Sequence, residues 1–438
     1  MTFTENRFKQ HILRILAVML LIAALVSASA VPAVYAETPD PSSISLYSQN
    51  ATVYCTDTNT FLYDQNADAR IYPASTTKIL TAIVAIENAE DLDMKVTVSE
   101  NAEYGIDPSS SHIALETGEE LTLRQVLYGL LLASGNDCAV VIAEAVGGSI
   151  EGFSDMMNEK AAEIGCTDSH FSNPHGLFAE DHYTTVHDLC LIMAYAIQNE
   201  TFVEIDSTLT YTIPATNKQG PRELWHGHGM LKNKYAYYEP VICGKTGYIT
   251  ESGFNLVTYG EKNGIHLIVA TAGASQQGED CKDTKALMEF FFNNYALSTI
   301  SVSADNADPI KLDEDTTIPV SLPESEVKCL VPAGEEDTAV TYETVPAEGL
   351  ARPIAKGDQV GELVIRKNDT AIATLPLLSA EAFPEPGRAL QGFARNLLIA
   401  ASIVIVLILL LLLIASIRRR KQRRSRMFLH SNGRRHRR

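Results

Sequence analysis

The chain has 438 residues, 46% of them hydrophobic and 20% charged, with 35 Lys+Arg against 54 Asp+Glu and a formal net charge of −19. That length suits two or three domains, and the ordinary composition excludes global disorder, collagen and a disulfide-dense miniprotein. A mean hydropathy of −0.00 excludes a polytopic transporter.

The charge is unevenly spread. Residues 418–438 hold 11 Lys/Arg and no acid, and residues 1–36 hold three basic residues and one acid. The stretch between them has 21 basic and 53 acidic residues, a net of −32, which argues against nucleic-acid binding by it. At the start, Arg7, Lys9 and Arg14 precede a 12-residue apolar run, Ile15 to Val26. That run is short for a membrane span, and Val34-Tyr35-Ala36 supplies small residues for cleavage. Residues 1–36 therefore read as a secretory signal peptide.

Short runs at Ser45-Leu46-Tyr47, Thr52-Val53-Tyr54 and Phe61-Leu62-Tyr63, separated by turn residues, predict strands. From Thr76 to Ala89 the apolar spacing turns helical, through Ile79, Leu80, Ile83 and Ile86. Thr122 to Leu132 predicts a second helix, opened by Thr122 and Gln125 as a capping box. Ser134-Gly135-Asn136-Asp137 interrupts it, and Ala139 to Val146 resumes as a helix. Phe153 to Ile164 and Val186 to Ile197 predict two more. Asn255 to Tyr259 and His266 to Thr271 predict a hairpin around Lys262-Asn263-Gly264, and Lys285 to Tyr295 a closing helix. Strands at both ends with helices between them predict one mixed α/β domain, residues 37–297.

Beyond it, short alternating runs broken by Gly, Pro and Asp predict a small β domain, residues 298–378. Residues 379–396, with Pro384, Pro386 and Gly387, read as a linker. Leu397 to Ile417 is 21 residues without a charge, enough to cross roughly 30 Å of hydrocarbon as a helix. Arg418-Arg419-Arg420-Lys421 follows at once and marks the cytoplasmic side. The expected arrangement is a single-pass membrane protein with its folded part outside the cytoplasm and a basic tail, residues 418–438, inside. Seven cysteines (55, 138, 166, 190, 243, 281 and 329) show no CxxC and no knot spacing, and several sit in apolar runs, as buried free thiols do.

Three short strings carry the chemistry: Ser75-Thr76-Thr77-Lys78, Ser134-Gly135-Asn136 and Lys245-Thr246-Gly247. SxxK recurs at Ser325–Lys328, and SxN at Ser48–Asn50 and Ser99–Asn101, so order and context matter. The first SxxK opens an apolar helix, the third SxN sits in a break between helices, and Lys-Thr-Gly stands just ahead of a hairpin. On a helix, residues i and i+3 share a face, so Lys78 can reach the hydroxyl of Ser75. A serine hydroxyl needs a base to become a nucleophile. A lysine serves once burial and a nearby cation depress its pKa, and Lys245 can be that cation. A strand carrying Lys245-Thr246-Gly247 offers backbone pairing to an extended peptide, side chains for a terminal carboxylate and, at Gly247, close approach of the ligand.

With these strings, and with Tyr72-Pro73-Ala74-Ser75, Ser172-Asn173-Pro174-His175-Gly176-Leu177 and Gly244-Lys245-Thr246-Gly247-Tyr248, the chain resembles the low-molecular-mass serine penicillin-binding proteins, the D-alanyl-D-alanine carboxypeptidases. The resemblance covers residues ~40–380. It implies a penicillin-binding-protein/β-lactamase-like serine transpeptidase α/β (α+β) fold, a small all-β domain and one C-terminal transmembrane helix. It also implies roles: Ser75 the acylated nucleophile, Lys78 its base, Ser134 the proton relay and Asn136 the holder of the substrate amide. Lys245 and Thr246 would bind the terminal carboxylate, and the backbone N–H groups of Ser75 and Tyr248 would form the oxyanion hole. Implied partners are a peptidoglycan stem peptide ending in D-Ala-D-Ala, β-lactams as covalent inhibitors, and the cell membrane through Leu397–Ile417.

Some relatives have His where this chain has Tyr248, so only that residue's backbone carries over. His226-Gly227-His228, with His175 and His182, invites a metal reading. No Asp or Cys stands at zincin spacing, and the serine machinery requires neither metal nor cofactor. A β-lactamase and a non-hydrolytic penicillin-binding sensor are the alternatives. The first would want a deacylating Glu that Asn173-Pro174-His175 does not offer. The second fits poorly with intact motifs.

Overall fold

A five-stranded antiparallel sheet forms the backbone of the fold, in the order β2-β1-β5-β4-β3. Its strands are β1 (Asn50–Cys55), β2 (Thr60–Gln65), β3 (Val241–Ile249), β4 (Gly253–Lys262) and β5 (Ile265–Ala274). This computed structural model describes residues 40–336, 339–367, 370–385 and 388–432, with side chains of the last helix described for 395–418. The expected signal peptide lies outside the described residues. The chain divides into Met1–Ser45 and Leu46–Arg438. In the first, the described part is one 3-10 turn, Pro41–Ser43, started by the Asp40 carboxylate accepting from the Ser42 N–H.

The sheet joins distant parts of the chain. β1 pairs with β5, setting Val53 opposite Val269. β4 and β5 turn at Asn263-Gly264, both with positive φ (57° and 78°), the conformation that an Asn-Gly hairpin turn supplies. Every residue of β1 is buried, and its two polar side chains are satisfied there: Asn50 Nδ2 donates to Asn66 O and Thr52 Oγ1 to Tyr63 O. Ser45–Tyr47 does not form the expected strand. The Asp283 carboxylate takes the N–H groups of Tyr47 and Ser48 (3.1 and 2.7 Å), replacing a neighbouring strand as acceptor.

The helices are α1 (Lys78–Asn88), α2 (Leu123–Leu132), α3 (Asn136–Gly147), α4 (Ile150–Ile164), α5 (Val186–Ala196), α6 (Glu200–Asp206) and α7 (Glu279–Asn294). α5 and α7 pack on the sheet, and α1 touches all of α2 through α6. α1 is buried without interruption from Lys78 to Ala85, so its apolar residues surround the axis rather than line one stripe. Its expected first turn is a separate 3-10 turn, Ala74–Thr77, fixed by Thr76 Oγ1 donating to Pro73 O at 2.8 Å. α2 starts on a complete capping box: Thr122 Oγ1 accepts from the Gln125 N–H, and Gln125 Oε1 accepts from the Thr122 N–H. α7 begins six residues before the expected Lys285, because Gly278 in a left-handed conformation opens it.

Tyr295 follows α7 directly and begins β6 (Tyr295–Ser301). Then come β7 (Val320–Ser321), β8 (Glu326–Pro332), β9 (Thr341–Pro346), β10 (Gln359–Lys367) and β11 (Thr370–Ser379). β6 pairs with β8, and a four-stranded sheet runs β7-β11-β10-β9. This part has its own core, including Ile310, Val360, Leu363, Ile365 and Leu377. α8 (Arg388–Asn432) is 45 residues long, and its segment Arg395–Arg418 is long and apolar enough to cross a membrane. The expected linker is shorter than its sequence suggests: Ser379 still belongs to β11, and residues 388–396 already belong to α8.

All seven cysteines are buried and unpaired. Burial raises the pKa of each thiol. The sign of the consequence follows. Above about pH 9 the unfolded chain loses thiol protons that the fold retains, so it binds fewer protons and stability falls. Each fully protected thiol contributes up to about 1.4 kcal/mol of loss per pH unit. The melting temperature is expected to drop steeply between pH 8.5 and 10.5, and Cys166→Ala with Cys190→Ala to flatten that drop. Parallel curves for the two proteins would contradict this account.

Candidate active site

Three chain segments meet beside the edge of the sheet. The first is the 3-10 turn Ala74–Thr77 running into α1. Pro73-Ala74 enters it with Ala74 at φ +51°, a left-handed conformation that costs a non-glycine residue on the order of 1 kcal/mol. The strain is held from two sides. Asn255 on β4, fully buried, donates from Nδ2 to Tyr72 O (2.8 Å) and Pro73 O (3.2 Å). From the other side Gly176, at φ +84°, closes the turn after Pro174 so tightly that a β-carbon there would collide with Ala74 O. Ser75 is thereby left partly exposed while Lys78 is fully buried.

Lys78 Nζ stands 2.8 Å from Ser75 Oγ, 2.6 Å from Asn136 Oδ1 and 2.7 Å from His175 O. The last two are carbonyl oxygens and can only accept. A neutral amine has two N–H bonds and one lone pair. The two carbonyls take the N–H bonds, and the lone pair faces the serine hydroxyl. Electrostatics favour that neutral form: burial, then the charge of Lys245, holds Lys78 well below the ordinary lysine range.

The second segment is the break between α2 and α3. Ser134 sits there at φ +58°, another non-glycine residue in the left-handed region. The Asn136 N–H donates to Ser111 O (2.8 Å) and its Nδ2 to Ser110 Oγ (2.9 Å). Asp137, buried, accepts from the backbone N–H groups of Ile113 and Leu115. The loop carrying Ser110 is thus tied to the motif, although nothing in Ser109-Ser110-Ser111 distinguished it from a solvated turn.

The third segment is β3, the edge strand of the sheet. Lys245 is buried, and its Nζ donates to Ser134 Oγ and Thr246 O, both at 3.0 Å. An ammonium has three N–H donors, so one is left for a ligand. Burial pushes Lys245 down to about 8 against an opposing pull from Asp206. Thr246 is half-buried and Tyr248 exposed, its ring 4.5 Å from that of Phe254. Gly247 also packs against the turn that carries Ser75. A β-carbon there would lie 2.9 Å from Pro73 O and 3.0 Å from the Ser75 nitrogen. Its bare backbone permits close approach of the Pro73–Ser75 turn, which brings the strand against the Ser75 amide.

The remaining motif copies lie elsewhere in structural roles. Ser99 caps a short helix, Asn50 Nδ2 bonds Asn66 O, and Lys328 sits 3.7 Å from Asp57. The histidines are engaged by backbone. Leu177 N–H donates to His175 Nδ1, Ser172 N–H to His182 Nδ1, and His228 N–H to His226 Nδ1. Burial lowers His175 to about 3 and His182 to about 4. Among the described residues no group of three or more His, Cys, Asp or Glu side chains could hold a metal ion.

Comparison with known proteins bears on the same region. The family model described as D-alanyl-D-alanine carboxypeptidase matches residues 35–276, and that of the C-terminal domain of penicillin-binding protein 5 matches residues 288–385. The chain is similar to D-alanyl-D-alanine carboxypeptidase DacF of Bacillus subtilis, 29% identical over 76% of this chain and 84% of the relative. It is also similar to DacA of Escherichia coli, 26% identical over 74% and 80%. Among solved structures, penicillin-binding protein 5 of Haemophilus influenzae superposes with a TM-score of 0.66 at 23% identity, over 78% of this chain and 99% of that one. The Streptomyces K15 DD-transpeptidase superposes with a TM-score of 0.53 at 28% identity, over 56% and 97%. This chain belongs to the D-alanyl-D-alanine carboxypeptidase family, and is a serine-type cell-wall hydrolase with a penicillin-binding-protein fold.

Proposed function

We propose that the enzyme removes the terminal D-alanine of peptidoglycan pentapeptide stems through an acyl-enzyme on Ser75. The observation that carries this reading is the position of Lys78 Nζ, bonded to two obligate acceptors and 2.8 Å from Ser75 Oγ. The substrate lies extended along the open edge of β3, its terminal carboxylate on the free N–H of Lys245 and on Thr246, its amide held by Asn136. Lys78 takes the hydroxyl proton as Ser75 Oγ attacks the penultimate D-alanyl carbonyl. The developing oxyanion is received by the N–H groups of Ser75 and Tyr248. The C–N bond then breaks, and the leaving amine takes its proton through Ser134, which Lys245 orients. Water attacks the ester and releases the shortened peptide. A β-lactam enters by the same first step. Its ruptured amide stays tethered, so the ester persists.

In this reading residues 37–297 are the catalytic domain and 298–378 a β domain. Residues 1–36 are a cleaved leader, and 397–417 the span that holds the enzyme outside the cytoplasm with a basic tail inside. The 11 basic residues after Ile417 support that orientation. Mass spectrometry of a defined pentapeptide after incubation should show loss of one D-alanine. A penicillin-labelled digest should carry its adduct on the peptide containing Ser75. An adduct elsewhere, or an intact pentapeptide, would overturn the assignment.

A further inference from the structure

Against β3 lies a buried cluster that the reaction scheme does not use. α6 packs against β3 and ends at Asp206, whose carboxylate is fully buried. His226 is 1% exposed and its Nε2 lies 3.4 Å from Asp206 Oδ1. Its Nδ1 accepts from the His228 N–H at 3.0 Å, so its ring proton sits on Nε2 and points at the carboxylate. His228, also fully buried, accepts from the Met230 N–H on Nδ1 and donates from Nε2 to Thr258 Oγ1 at 3.0 Å. Thr258 is the β4 partner of Gly244, and a β-carbon at Gly244 would stand 2.8 Å from His228 Nε2. Lys245 is the next residue. The cluster thus reaches β3 at two points: Asp206 interacts with the Cys243 thiol, two residues before Lys245, and His228 stands behind Gly244, the residue before it.

A buried carboxylate without compensating charge is strongly destabilising, and so is a buried ammonium. The titratable groups around Lys245 are few. Lys78 faces it from α1, Cys243 neighbours it on β3, and His226 and His228 face it from Trp225–Gly229. β4 contributes Thr258, which does not ionise. Asp206 is the negative charge among them. It does not contact the ammonium, so it consumes none of the N–H donors that the ligand needs.

We propose that Asp206, held by His226 beneath β3, is a positioning residue that fixes the Lys245 ammonium as the anchor for the substrate's terminal carboxylate. The inference rests on the reading that Lys245 binds that carboxylate. Its physical basis is that a fixed charge in a low-dielectric interior acts over several ångströms without a hydrogen bond. Without it, burial alone acts on Lys245, and the ammonium gives up its proton at a lower pH.

The test uses the full-length protein in detergent, a peptide ending in D-Ala-D-Ala, and its C-terminal carboxamide. In the wild type, kcat/KM is expected to fall on the alkaline side near pH 8, and the carboxamide to be a poor substrate. Asp206→Asn keeps the shape and removes the charge. It should move the alkaline fall down by about one pH unit, leave the acid side in place, and raise KM about threefold at pH 7.5 with little change in kcat. His226→Gln should shift the fall in the same direction by less, and it carries the test should Asp206→Asn fail to fold. Wild-type-like profiles in both variants overturn the inference. So does a uniform loss at every pH with a lowered melting temperature, which is what a merely structural role predicts. A wild type that cleaves carboxamide and free acid alike overturns the anchor reading first, and is distinguishable because it needs no variant.

Discussion

Ser75→Ala is expected to reduce D-alanine release by at least roughly 10⁴-fold and to abolish covalent labelling by penicillin. Removing the hydroxyl removes the only atom proposed to bond the acyl group, and neither Lys78 nor water replaces it at that position. The fold should be indifferent. Ser75 is partly exposed, and the two carbonyls that accept from Lys78 keep their donor. Melting temperature should therefore change by no more than about 2 °C, the range of a surface substitution. Non-covalent affinity for a D-Ala-D-Ala peptide should persist, because Lys245 and Thr246 are untouched. Release measured on a chromatographic D-alanine assay decides the matter: activity within tenfold of wild type would remove Ser75 from the mechanism.

Lys78→Met is expected to lower acylation by both peptide and penicillin by roughly 10³- to 10⁴-fold, the range of general-base catalysis. Methionine matches the length of the stem and removes the amine. Asn136 Oδ1 and His175 O then lose a donor, at about 1–3 kcal/mol for each group left buried and unpaired. Relief from burying an amine offsets part of that cost. The pH profile separates this variant from a misfolded one. Residual acylation should climb with pH without levelling, because only hydroxide remains to take the serine proton. Stopped-flow acylation across pH 6 to 10 would show this, and a residual rate flat in pH would contradict it.

The groups proposed to act on the substrate are legible in the sequence where the chemistry demands particular residue types a few positions apart. Ser75 with Lys78, Ser134 with Asn136, and Lys245 with Thr246 are each within one turn or one strand step of each other. What escaped notice depends on approach between distant segments. Asn255 clamps Tyr72 O and Pro73 O from 182 or more residues away, and its only local mark is a polar side chain beside the buried Leu256 and Val257. Ser110 reaches Asn136 across 26 residues, from a serine run that looks solvated. The packing of Gly247 on Pro73 and Ser75 is likewise invisible locally, because a bare backbone in a motif does not say which neighbour comes close. Ser45–Tyr47 has strand-forming residues, yet Asp283, 236 residues on from Tyr47, supplies the acceptor. Local propensity cannot foresee an acceptor that arrives from another helix.

The position of β3 at the rim of its sheet has a consequence for solubility. An unpaired strand edge is a template for any extended chain of suitable register, including the same strand in a second copy. If the substrate completes the sheet as proposed, that edge has to stay open, so protection against self-pairing has to come from elsewhere. Charge can provide it: the region between the two termini carries −32, and copies with that much like charge repel at the low and moderate ionic strengths where screening is incomplete. A short stem peptide, carrying its terminal carboxylate and little further charge, meets far less repulsion than a second copy of the enzyme. Concentrated salt, by this argument, removes the discrimination between the peptide meant for the groove and a neighbouring molecule.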